Sequence, residues 1–390
     1  MRVSRLTALL LLIVPASALG KQSLAITSPT GFPAGGHPSY TTNIGLDTSA
    51  GTPSTVTIKL APGALAAPSA NPSCVKTTQH TPSCEIGTGS VATALPGLGL
   101  TVTAYLAPPP NPADVVGIDV VPVTGTPVTH AGAKLAQNAA GNVQTVLSLS
   151  LSGLGPLASM VTGMKLTING TLDGKPFNRM PTNCSPGQSQ LTVAYSQKTE
   201  TVAASPDFAP TGCSALPYAP KISGTAQHTK SGAGTVATTV TQAVGQAASA
   251  KTALTLPTGA VLPNISSIKL LNKPTPVGSV VSASPLLPAP LKGKIYLVGT
   301  LQKPFLLFKF PPPAVLKLTG QVNLSTNTVT IPVVPDVPLT QLKVTFPGGP
   351  NGLLQVACPS KPVTMSGNFT AQSGKTAAAT HRLTVTGCTG

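Results

Sequence analysis

Thr55-Val56-Thr57-Ile58-Lys59-Leu60 places an aliphatic side chain at every second position. Period-two alternation marks a strand with one buried face and one wet face. The same beat recurs in Leu147, Leu149 and Leu151, and in Leu166 and Ile168. It returns in Leu254 and Leu256, in Leu342, Val344 and Phe346, and in Leu383 and Val385. Threonine and valine suit the half-buried pleated surface. Long amphipathic helices are missing. Ala-rich Val236–Ala250 holds a Thr-rich run, Thr235-Val236-Ala237-Thr238-Thr239-Val240, that favours a strand, and Ala133–Ala140 reads as one helical turn. Short strands broken by Pro and Gly predict an all-β chain of packed antiparallel sheets.

The chain says nearly the same thing twice. Ile86-Gly87-Thr88 is answered by Val277-Gly278-Ser279, and Ala104-Tyr105-Leu106 by Ile295-Tyr296-Leu297. Pro62-Gly63-Ala64 is answered by Thr258-Gly259-Ala260, and Thr211-Gly212-Cys213 by Thr386-Gly387-Cys388. The expectation is two homologous antiparallel β-sandwich domains, immunoglobulin-like, over residues 26–222 and 223–390. The second copy is shorter after its tyrosine, and Pro-, Gly- and Ala-rich residues 111–140 are the expected insertion in the first. The second copy also lacks a counterpart of the first cysteine pair.

Residues 1–20 read as a signal peptide. Arg2 and Arg5 precede the apolar run Leu6–Val14, and Ala16-Ser17-Ala18 offers small residues for cleavage. That run is too short for a membrane span, which needs about 20 residues. An exported chain meets an oxidising environment, so its six cysteines read as disulfides. Local pairing, repeated in both copies, selects Cys74–Cys84, Cys184–Cys213 and Cys358–Cys388. Metal spacing of the Cys-x-x-Cys or His-x-x-x-His kind is missing. No metal or other cofactor is expected.

Charged residues are 8% of the chain, against about 25% in ordinary domains. Net charge is +16, carried as lysines that look thinly spread along the sequence. A nucleic-acid binder shows a dense basic stripe with interleaved aromatics, so nucleic acid is not an expected partner. Anionic polymers of the cell envelope, or other surface proteins, are the candidate partners. No transmembrane segment is expected in the mature chain.

A search for chemistry finds no nucleophile elbow, no His-Glu-x-x-His and no phosphate loop. His37, His80, His130, His228 and His381 read as loop or surface histidines. Asp114 and Asp119, five residues apart along a strand, would stand near the far limit for a glycosidase pair and on opposite faces, and Asp173 belongs to a hairpin turn. The expectation is no enzyme. One aromatic cluster stands out, Phe305, Phe308 and Phe310, flanked by Lys303 and Lys309. It reads as core packing or, alternatively, as a candidate ligand strip.

Gly36-His37-Pro38, Leu60-Ala61-Pro62-Gly63, Cys84-Glu85-Ile86-Gly87-Thr88, Met180-Pro181-Thr182-Asn183-Cys184 and Gly293-Lys294-Ile295-Tyr296-Leu297 follow one another along the chain. With the closing Gly-Cys, that order resembles a repeat module of large exported proteins of actinobacterial type. The second copy departs from it, lacking the His-Pro signal and the first cysteine pair. The resemblance implies export and a modular β architecture, and no activity. The expected role is a secreted, non-catalytic structural or interaction module at the cell surface or in the medium. The alternative is a binding protein for envelope polysaccharide or a hydrophobic ligand, with a secreted hydrolase third.

Overall fold

The computed structural model describes residues 22–123, 129–203, 208–230 and 233–388. The expected leader lies outside them, as do Asp207 and residues 124–128. The alternating runs fall on strands, to within a residue at their ends.

The first half forms β1 (Ser23–Thr27), β2 (Tyr40–Gly45), β3 (Pro53–Lys59), β4 (Leu65–Ala66), β5 (Glu85–Thr93), β6 (Leu100–Ala107), β7 (Val116–Pro122) and β8 (Thr129–Gln137). It continues with β9 (Val143–Ser150), β10 (Val161–Ile168), β11 (Thr171–Leu172), β12 (Lys175–Pro176), β13 (Asn178–Arg179), β14 (Gln190–Tyr195) and β15 (Thr199–Ala203). The second half forms β16 (Lys221–Gln227), β17 (Thr235–Thr241), β18 (Ser249–Thr255), β19 (Val261–Pro263), β20 (Gly278–Ala283), β21 (Leu291–Gly299) and β22 (Pro304–Phe310). Then come β23 (Leu316–Asn323), β24 (Thr328–Ile331), β25 (Gln341–Phe346), β26 (Leu354–Val356), β27 (Thr364–Ala371), β28 (Thr376–Arg382) and β29 (Thr384–Thr386).

Eleven strands make one antiparallel sheet in the order β1-β2-β10-β5-β6-β7-β8-β9-β3-β14-β15. Twelve make the other, β29-β16-β17-β25-β20-β21-β22-β23-β24-β18-β27-β28, in which β16 and β29 pair in parallel. With β29 set aside the two orders are the same: β1–β10 correspond to β16–β25, and β13–β15 to β26–β28. Each sheet is long and twisted, and it rolls until its edges meet. In the first, β1 lies beside β14 and β15, and Gln22 Nε2 donates to the carbonyls of Leu191 and Glu200, each at 3.2 Å. In the second, β16 lies beside β27 and β28. The result is two all-β domains of sandwich or barrel-like build.

Two local expectations fail. Residues 111–140 are not an insertion, because they hold the whole of β7 and β8, interior strands whose counterparts are β22 and β23. The extra length lies in a longer β8–β9 hairpin, in the 3-10 segment Ser152–Met160 and in the hairpin β11–β12. Ala133–Ala140 is no helical turn, because its first five residues are the end of β8. Composition misled there. Small residues are required where neighbouring backbones crowd: a Cβ on Gly87 would collide with the carbonyl of Thr167, and one on Gly278 with that of Thr345.

All six cysteines pair as expected, Cys74–Cys84, Cys184–Cys213 and Cys358–Cys388. Each loop closure stabilises by about 2.5–3.5 kcal/mol in the chain-entropy picture. The double variant Cys358→Ser, Cys388→Ser should lose about 3 kcal/mol of unfolding free energy in urea titration, with the first domain's bridges still intact by mass mapping.

One hydrophobic core crosses between the domains. Leu65, Ala67 and Val143 of the first pack with Leu286, Phe310 and Val334 of the second. Beside it, Asp336 from the Pro-rich segment before β25 enters the first domain. Its carboxylate accepts from Thr182 N at 2.6 Å, Thr182 Oγ1 at 2.7 Å and Asn183 N at 3.0 Å. Thr182 Oγ1 in turn accepts from Ala248 N at 3.0 Å. Burial pushes the Asp336 carboxyl above the ordinary 3.8, against the pull of Thr182 and Arg179. Burial likewise lowers Arg179, and its Nη1 has no partner.

The raised value means the native state holds this proton more tightly than the unfolded chain. The stability that Asp336 contributes is therefore greatest below pH 3.8 and falls as pH rises through its native value. Asp336→Asn should flatten that slope in urea titrations between about pH 3 and 7. Asp336→Ala at pH 7 should cost about 3 kcal/mol, because it strands three donors and leaves Arg179 buried alone.

Candidate functional site

Cross-strand pairing sets Glu85, Tyr105, Asp119 and His130 in one row over β5, β6, β7 and β8. The Cys74–Cys84 loop brings His80 to that row. His80 stacks near Tyr105, with ring centroids 5.0 Å apart, and its Nε2 lies 2.8 Å from Asp119 Oδ2. His130 Nδ1 lies 2.5 Å from Asp119 Oδ1. Asp119 is buried, and both its oxygens are engaged. Sequence reasoning treated His80 and His130 as separate surface histidines, because only the fold makes them neighbours.

This trio looks like a catalytic dyad with a spare histidine, but its geometry is that of a clip. The carboxylate faces an imidazole on each side. Among the described residues no group of three His, Cys, Asp or Glu is arranged to hold a metal. The cavities of about 70, 120 and 250 Å³ are lined by other residues. The chemistry available is charge-assisted hydrogen bonding that ties the disulfide loop to the sheet. His37 and His228 are pins of a similar kind. Their Nδ1 atoms hydrogen-bond to the carbonyls of Asn178 and Val356, from different places in the chain: His37 stands three residues before β2 and His228 one residue after β16.

The second domain turns the corresponding face into something else. Its counterpart of Tyr105 is Tyr296, which has no disulfide loop above it. Lys309 sits there instead, with Nζ 4.8 Å from the ring centroid, close enough for a cation–π contact. Lys294 pairs across to Lys309, and Lys309 to Lys317, so three lysines stand in a row over β21, β22 and β23. On the next row Val281 lies between Lys292 and Lys343. All five lysines are exposed, with half-buried Tyr296, Phe305 and Leu307 among them. Like charges directly opposite one another destabilise a sheet, so the arrangement costs the fold something.

The expected ligand strip is therefore corrected. Phe308 and Phe310 are core, 3% and 6% exposed, because their side chains point inward with Leu306. Phe305 and Lys309 point the other way and do belong to the basic face, while Lys303 is exposed in the turn before β22. The reading of thinly spread lysines is also overturned. Residues 221–390 carry thirteen lysines and one arginine against the single carboxylate of Asp336, a net +13. Residues 21–220 carry eight basic groups against seven acids, a net +1. Counting charge by halves would have revealed this. The rows themselves needed the register.

Comparison with protein-family models and with curated proteins found no match.

Asp119→Ala should cost about 2–3 kcal/mol of stability. It should also open the Cys74–Cys84 loop to hydrogen exchange and leave the second domain's exchange unchanged.

Proposed function

We propose that this is a secreted, non-catalytic interaction protein whose working surface is the lysine face of the second domain. Its partner is an anionic polysaccharide of the cell envelope. One observation carries the reading: five exposed lysines share a sheet face, and the single acid of that half is buried at the domain junction. A face that bears like charges in register gains when an extended polyanion lies across it. Tyr296 and Phe305 supply flat surface for sugar rings between the charges.

Several features support the rest of the picture. Three disulfides and the leader-like start suit a protein that matures outside the cytoplasm. No helix among the described residues is long and apolar enough to cross a membrane. The shared strand order, with the matched glycines Gly87 and Gly278, supports duplication of one module. In this reading the first copy kept a stapled loop over its face and the second shed it. The hydrolase alternative has less in its favour: His80 and His130 do meet the carboxylate of Asp119, as a catalytic pair would, but none of the three lines the cavities of about 70, 120 and 250 Å³.

The test is retention of the mature protein on an immobilised polyuronate and on a neutral glucan. The polyuronate should retain it at about 0.05 M salt and release it as screening shortens toward a few Å near 1 M. Replacing Lys294, Lys309 and Lys317 together by Gln should weaken retention at least tenfold. The melting temperature should stay level or rise as like-charge repulsion is relieved. Equal retention on both polymers, or an unaffected triple variant, would remove this surface from consideration.

A further inference from the structure

The second domain also holds a cavity of about 250 Å³ at the end where the β21–β22 turn, the β23–β24 turn and the 3-10 segment Ile265–Leu270 converge. It differs from the basic face in chemistry. Its mouth is formed by Ile265, Leu301 and Leu324, which are 78%, 55% and 51% exposed. Its floor reaches Leu306, 1% exposed. The polar side chains in its wall are already committed. Asn264 Nδ2 donates to Gly352 O at 2.7 Å, Asn327 Nδ2 donates to Val261 O, and Ser267 Oγ donates to Asn264 O at 2.6 Å. Thr300 Oγ1 accepts from Lys303 N at 3.1 Å. Each of these four side chains thus already holds a hydrogen bond within the protein.

We infer that this pocket binds the alkyl chain of an anionic amphiphile, a fatty carboxylate being the simplest case. An apolar lining that runs from an exposed rim to the buried Leu306 suits an inserted chain over a flat partner. Its volume exceeds the roughly 150 Å³ cavity that already takes benzene, and matches roughly eight liquid waters, hence about eight methylenes. The charge of the head follows from the residues next to the lining in sequence. Lys269 lies on the 3-10 segment, Lys273 two residues after Leu271, and Lys303 between Leu301 and Pro304 in the β21–β22 turn; all three are exposed, and none lines the pocket itself. The domain's single acid, Asp336, is buried against Thr182 of the other domain. The pocket does not depend on the polysaccharide reading, because none of the five face lysines lines it.

Calorimetric titration of the mature protein with hexanoate, octanoate, decanoate and dodecanoate tests this. Affinity should rise about fourfold per methylene and level off once the pocket is full. Decanol should bind several-fold more weakly than decanoate. Lys269→Glu with Lys303→Glu should abolish that preference while chain-length dependence remains. Val322→Phe fills the wall and should shorten the optimal chain; Leu301→Glu, at a rim position 55% exposed and outside the core, should weaken every chain at least tenfold. Absence of saturable binding would overturn the inference. So would affinity that climbs with chain length without levelling, since that is surface adsorption. A ligand-free dimer by light scattering that Leu301→Glu converts to a monomer, with no carboxylate bound by either form, would assign the rim to a second copy of this chain and overturn it equally.

Discussion

Backbone register is the constraint on which the rest of this molecule depends. Once β21, β22 and β23 pair, alternate residues on each are committed to opposite faces. Ile295, Phe308 and Leu318 are then sent inward together, while Lys294, Lys309 and Lys317 are sent outward together. A slip of one residue would bury three ammonium groups and expose three apolar side chains. Burying an unpaired charge is far more costly than burying any hydrocarbon is favourable. The lysine row is thus a specificity device for the fold as well as a surface for a partner. The same constraint, acting over β6, β7 and β8, puts Tyr105, Asp119 and His130 side by side.

The two domains show how one scaffold supports two surfaces. Tyr105 and Tyr296 hold the same place in their sheets. One is stacked by His80 from a disulfide-closed loop, and the other by Lys309 from the neighbouring strand. A few residues of loop decide between a covered and an open face. The glycine that precedes each tyrosine's strand, Gly87 or Gly278, is required in both, because a neighbouring carbonyl occupies the space of a side chain. At this position, where the backbone demands glycine, the halves agree; on the tyrosine face they diverge.

The junction between the domains has a different logic. A shared apolar cluster joins them without direction, and Asp336 supplies the direction. Its carboxylate meets two backbone donors and a hydroxyl in the segment Thr182-Asn183, next to the Cys184–Cys213 bridge. That segment looked like a module signature in the sequence. In space it is a seat for the other domain. Three prolines, Pro332, Pro335 and Pro338, keep the chain around Asp336 out of the sheet, so the carboxylate is free to cross.

The amino-acid sequence by itself determined the fold class, the strand positions and the three disulfides. Alternation has a period that only a sheet satisfies, and cysteines close in sequence have little freedom to pair elsewhere. It did not reveal that residues 111–140 hold interior strands, because Pro, Gly and Ala also read as loop. Alternation puts Phe308 and Phe310 on one face and Phe305 on the other, but it did not decide which of the two faces is buried. Only the tertiary structure decided that Lys292, Lys294, Lys309, Lys317 and Lys343 form one face, and that His80 and His130 share Asp119. Those groupings join residues from separate strands and loops, and sequence distance carries no record of which strands lie side by side.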